Sequence, residues 1–72
     1  MITDDDLKNW FTHHAPDISQ LPKYRAIREA GAHLARVIVD CTPECADQTA
    51  AVRKVREAVI TANAAIACNE LE

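Results

Sequence analysis

One glycine, Gly31, and three prolines are all this 72-residue chain has of the residues that break regular structure, against thirteen alanines. That balance points to an all-helical chain. Aromatic residues are equally scarce. Trp10, Phe11 and Tyr24 are few for a self-sufficient core, in a chain short enough to need disulfides, metal or association for stability. Positive charge is not in excess either. The formal charge is −3 and the pI about 5.5, which argues against sequence-independent binding to duplex nucleic acid. A small phosphorylated ligand held by a few local arginines stays compatible with it. No uninterrupted apolar run approaches about 18 residues, so no membrane span is expected. No secretory signal is expected, since Met1-Ile2 runs straight into Asp4-Asp5-Asp6. An even cysteine count is lacking too: Cys41, Cys45 and Cys68 fit an intracellular, reduced protein. Cys41-x-x-x-Cys45 has two readings, half of a zinc site completed by His13, His14 or His33, or small apolar helix residues.

What is present is helical periodicity. Thr3 before Asp4, Asp5 and Asp6 is a helix start, with a hydroxyl cap and carboxylates in the positive first turn. Leu7, Trp10 and Phe11 follow at helical spacing, predicting a short helix over about 4–13. Pro16 ends it, and residues 14–19 form a loop. A second helix is expected from Ser19 or a close neighbour, with Pro22 in its first turn, to Asp40 or Cys41. Its stripe reads Tyr24, Ile27, Gly31, Leu34, Ile38 and Cys41. Gly31 there calls for a close backbone contact with another helix or a ligand, because glycine costs about 1 kcal/mol against alanine inside a helix. Thr42-Pro43-Glu44 predicts the start of a third helix reaching about Asn69, with the stripe Val52, Val55, Val59, Ala62 and Ile66. The expected protomer is all-α, a short N-terminal helix and a long antiparallel helical hairpin, in one domain over residues 1–70. Leu71-Glu72 reads as a tag-derived pair.

The segment Ala58–Cys68 carries small or apolar residues on almost every side. A helix of that kind must be covered all round, and this chain has too few other elements to cover it. A homo-oligomer with the alanine-rich end of the third helix in its interior is therefore expected.

Four places could carry chemistry. His13 and His14, next to Phe11, could ligate metal, act as acid and base, or stack on a nucleobase; a partly buried structural histidine is the alternative. Lys23, Tyr24, Ile27, Arg28 and Gly31 follow at three- and four-residue steps. They suit either a strip that binds phosphate through arginine or a solvated cationic face. Arg53-Lys54-x-Arg56 reads as a recognition helix or, given the surrounding acidity, a solvated face. Asn63, with Thr61, is polar in an apolar stretch and needs partners, from its symmetry mates or from a ligand edge.

Taken in order, these residues resemble a known set. Phe11-Thr12-x-His14-x-Pro16 is followed by Tyr24-x-x-Ile27-Arg28-x-Ala30, Leu34-Ala35, Thr42-Pro43 and Gln48-x-x-Ala51. The series closes on Arg56-Glu57-Ala58-Val59-x-x-Ala62-Asn63-Ala64-Ala65-Ile66-Ala67. Over residues 10–70 this resembles the small phage proteins that act as anti-CBASS cyclic-oligonucleotide sponges.

The resemblance implies a homohexamer of helical hairpins in the cytoplasm of the infected bacterium. Such an assembly binds cyclic dinucleotides of the 3',3'-cGAMP type intact between subunits, without cofactor, metal or catalysis. It further implies that Phe11, His13, His14, Lys23, Tyr24 and Arg28 form the dinucleotide site, with Arg28 on the phosphodiester. Relatives carry tyrosine at the place of His13, and a smaller stacking area follows here. Asn63, Cys68 and Asn69 are the candidates for a second, trinucleotide site. Relatives have a basic residue where Cys68 stands, so weak trinucleotide binding is expected. The rival readings are a phosphodiesterase using the two histidines and a plain protein-interaction module.

Overall fold

The computed structural model describes residues 1–70; the proposed tag-derived pair Leu71-Glu72 lies outside the described residues. Three helices make up the fold: α1 (Asp4–Trp10), α2 (Leu21–Cys41) and α3 (Ala46–Asn69). The second and third pack against each other as a long antiparallel hairpin, and α1 touches α3. The expected all-helical hairpin is what the chain forms.

α1 opens on a complete capping box. The Thr3 side chain accepts from the Asp6 amide at 3.0 Å, and the Asp6 carboxylate accepts from the Thr3 amide at 2.9 Å. The helix stops at Trp10, about one turn before the periodicity suggested. Thr12 explains the early stop: its hydroxyl donates back to the Lys8 carbonyl, the local competition that favours threonine at helix ends.

α2 begins at Leu21 with Gln20 as the preceding residue. Ser19 is not the cap. Asp17 and Gln20 form a reciprocal pair instead: the Gln20 amide donates to Asp17 Oδ1 at 3.1 Å, and the Asp17 amide donates to Gln20 Oε1 at 3.2 Å. The half-buried stripe of α2 is Tyr24, Ile27, Gly31, Ala35 and Ile38. Leu34, read as part of that stripe, is 49% exposed, and Cys41 is exposed as well. Both steps of three rotate the pattern past the packed face. Gly31 does face α3, because a Cβ placed on it would lie 2.5 Å from Val59 Cγ2.

The start of α3 differs from expectation. Thr42 terminates α2 with its hydroxyl donating to the Ile38 carbonyl at 2.6 Å. Cys45, in extended conformation, precedes Ala46 as the cap and makes no side-chain bond. The turn is tied by Gln48, whose amide donates to the carbonyls of Val39 and Thr42, each at 3.2 Å. From there the stripe runs as expected. Val52, Val55, Val59 and Ala62 are half-buried, and Ile66 is the one apolar residue buried among those described, at 9% exposure. No described helix is long and apolar enough to cross a membrane.

Candidate functional site

The loop after α1 carries both histidines to the place where α3 ends and α2 begins. There His13, His14, Ala15, Asp17, Gln20, Ala67 and Glu70 line a groove of about 340 Å³. His13 is exposed and His14 half-buried. The ring of His14 is held from below, with Nε2 2.7 Å from the Asn9 carbonyl oxygen. Asn9 also donates from Nδ2 to the Cys68 carbonyl at 2.9 Å, which joins the end of α1 to the last turn of α3. Gln20, 8% exposed, forms the floor. Its Oε1 accepts from Asp17, and its Nε2 has no hydrogen-bond partner among the described residues.

Charge at the groove is mixed. The Ser19 hydroxyl, donating to Asp17 Oδ1, holds the Asp17 carboxyl below the ordinary carboxylate range. Desolvation opposes it as the next-largest effect, and the amides of Gln20 and Ser19 and the charge of Lys23 add smaller effects in the lowering direction. Lys23 is not free for a ligand: it pairs with both carboxylate oxygens of Glu70, the longer contact at 3.0 Å.

The other candidates sit around α2. Tyr24 is half-buried in the hairpin seam, while Arg28 is exposed and makes no ion pair among the described residues. Lys23 and Arg28 lie about 140° apart around the helix at its 3.6-residue period, so they flank the seam instead of sharing one strip. Phe11, 84% exposed, caps α1 with its amide on the Leu7 carbonyl at 3.1 Å.

Toward the C-terminus, Asn63 and Cys68 are half-buried and Asn69 is exposed. The buried Oδ1 of Asn63 has no hydrogen-bond partner among the described residues, so the partner that the sequence calls for is not supplied by them. Cys41, Cys45 and Cys68 are free. Among the described residues no three of His, Cys, Asp and Glu cluster as metal ligands would.

A family model described as Acb2/Tad1, hairpin domain, matches residues 3–67. The chain belongs to the Acb2/Tad1 hairpin family. This is the sponge family that the ordered motifs resemble. Members are sponge-type, non-catalytic domains associated with cyclic oligonucleotides, consistent with an anti-defence role. The Acb2/Tad1 match takes in the histidine loop, all of α2 and most of α3, and stops just before Cys68 and Asn69. No curated protein and no solved structure matches the chain.

Sequence reasoning did not pick out Asn9, Asp17, Gln20 or Glu70. Asp17-x-x-Gln20 carries the spacing of a capping box and was findable on that ground. Asn9 had no such signal, because its partner Cys68 is 59 residues away.

Proposed function

We propose that this chain is a phage anti-defence sponge that sequesters cyclic dinucleotides of the 3',3'-cGAMP type intact, in the cytoplasm of the infected host. The observation that carries the reading is the family match, which spans most of the hairpin and every residue lining the histidine groove except Glu70. In this reading the histidines, with Phe11 and Tyr24, stack on or read the bases. Arg28 takes the phosphodiester, and Lys23 joins it only if it leaves Glu70. Asn63, Cys68 and Asn69 serve any trinucleotide.

The surface supports assembly as the working form. The chain exposes 5984 Å², whereas a compact monomer of its mass exposes about 4,450 Å². The excess is about twice what each partner contributes to a standard interface. A homohexamer, as the family resemblance implies, would cover it and bring groups of neighbouring subunits to each groove.

The deciding experiment mixes excess 3',3'-cGAMP with the protein, denatures it and chromatographs the released ligand. Intact ligand, retained in proportion to protein, is the expected result. Linear product at many turnovers would make the protein a phosphodiesterase. No binding heat across a panel of cyclic nucleotides would leave an interaction module.

A further inference from the structure

We infer that the backbone carbonyl of Asn9 fixes His14 as an Nδ1 acceptor, directing it to a nucleobase N–H group and not to a phosphate, and that the Asn9 side chain positions this ring against the end of α3. This rests on the reading of the histidine groove as a nucleotide site. The chemistry starts from the contact between His14 Nε2 and the Asn9 carbonyl, 2.7 Å. A carbonyl oxygen can only accept, so Nε2 must carry the proton. A neutral imidazole has one N–H, which leaves Nδ1 as a bare lone pair. Ionised phosphodiester oxygens also only accept, and two acceptors do not bond. The amino and imino groups of nucleobases donate, and they fit.

The rest of the groove has the same preference. Of the two carboxylates that line it, Glu70 is paired with Lys23, and Asp17 would repel a phosphate while accepting N–H groups. Base edge inward, phosphates outward is the orientation this lining favours.

Asn9 is suited to hold the ring because it is anchored twice. Its backbone carbonyl accepts the hydrogen bond from His14 Nε2, and its side-chain Nδ2 donates to the Cys68 carbonyl at 2.9 Å. That carbonyl lies in the last turn of α3, where no helical donor follows. The Asn9 Oδ1 is buried without a partner among the described residues, a cost an apolar residue would avoid. What the amide supplies here is therefore the bond to α3. Ala67 and Glu70 beside that bond line the same groove, so Asn9 fixes the distance from His14 to the opposite wall.

The test is a long-range proton–nitrogen spectrum of protein labelled with 15N-histidine near pH 7.5, with His14 assigned by its loss in His14→Ala. The free protein should show His14 as the Nε2–H tautomer. Adding 3',3'-cGAMP should perturb Nδ1 without protonating it. Asn9→Ala keeps the backbone carbonyl and with it the Nε2–H tautomer, but it loses the bond to Cys68 and should weaken 3',3'-cGAMP about tenfold by calorimetry, with the helical circular dichroism retained. Asn9→Asp, which keeps the size and loses the donor, gives the same readout if the alanine variant does not fold. An Nδ1–H tautomer in the free protein, or an imidazolium in the complex, would overturn the inference. So would Asn9 variants with wild-type affinity. If 3',3'-cGAMP does not bind the wild type at all, the sponge reading fails, while the free-protein spectrum still decides the tautomer.

Discussion

Gly31 is where one atom decides the packing of the hairpin. Two effects of Gly31→Ala oppose each other. The helix gains about 1 kcal/mol of propensity, but the new Cβ would meet Val59 Cγ2 at 2.5 Å. Valine is stiff at χ1, and overpacking a seam costs about 1–3 kcal/mol. The clash wins, so Gly31→Ala should lower the urea midpoint. In a Val59→Ala background the same change should raise it, the non-additivity expected of residues in contact. Arg28 presents the opposite case, an exposed side chain without an ion pair among the described residues. Arg28→Ala should leave the unfolding midpoint unchanged. It should weaken 3',3'-cGAMP about tenfold to a hundredfold by calorimetry, the worth of a charged hydrogen bond. Unchanged affinity would remove Arg28 from the site.

Among the elements, the end of α1 and the start of α3 are where sequence and structure part. The two stripes were legible because Ile27, Gly31 and Ile38 on α2 and Val52, Val55, Val59 and Ile66 on α3 keep helical steps over several turns. The ends of α2 and α3 were legible too. Thr42-Pro43 misled because a threonine before a proline suits a helix start, yet the same hydroxyl closed the previous helix on Ile38. That left Cys45 as a cap without a side-chain bond. Cys45→Ser should supply one and stabilise the protein by about 0.5–1 kcal/mol in thermal unfolding. The turn that leads into α2 is held by a charged residue, Asp17. Its depressed folded pKa means that Asp17 contributes stability fully present above the ordinary carboxylate pKa of about 3.9. That contribution is lost as the pH falls through the lower folded value. Asp17→Asn keeps an acceptor for the Gln20 amide but not the charge. The stability gap between wild type and Asp17→Asn should be widest above about pH 4 and close below it, and a gap that persists in acid would mean the charge does not matter. The histidine groove was only partly legible: His13 and His14 stand out in sequence, but Asn9, Gln20 and Glu70 become neighbours only through the fold.

For the whole molecule the question is what covers the hairpin. Buried residues are nearly absent among those described, and Ile60 and Leu34 stand 56% and 49% exposed. An apolar groove of about 460 Å³ runs beside the seam, where Ala30 and Leu34 of α2 face Ala58 and Ala62 of α3. Alanine there lets another backbone approach closely, and leucine supplies the area, about 1.5–3 kcal/mol once fully covered. Leu34→Glu tests this without disturbing the packed face, since half of Leu34 is already in water. The circular dichroism of the variant should match wild type. Its sedimentation should shift to a smaller species at micromolar concentration, because a carboxylate buried without a partner costs far more than the leucine gained. If its mass in solution equals that of the wild type, the groove is not where copies meet. If the wild type itself sediments as a folded monomer, its large surface is simply that of an elongated hairpin, and each groove must then hold its ligand alone.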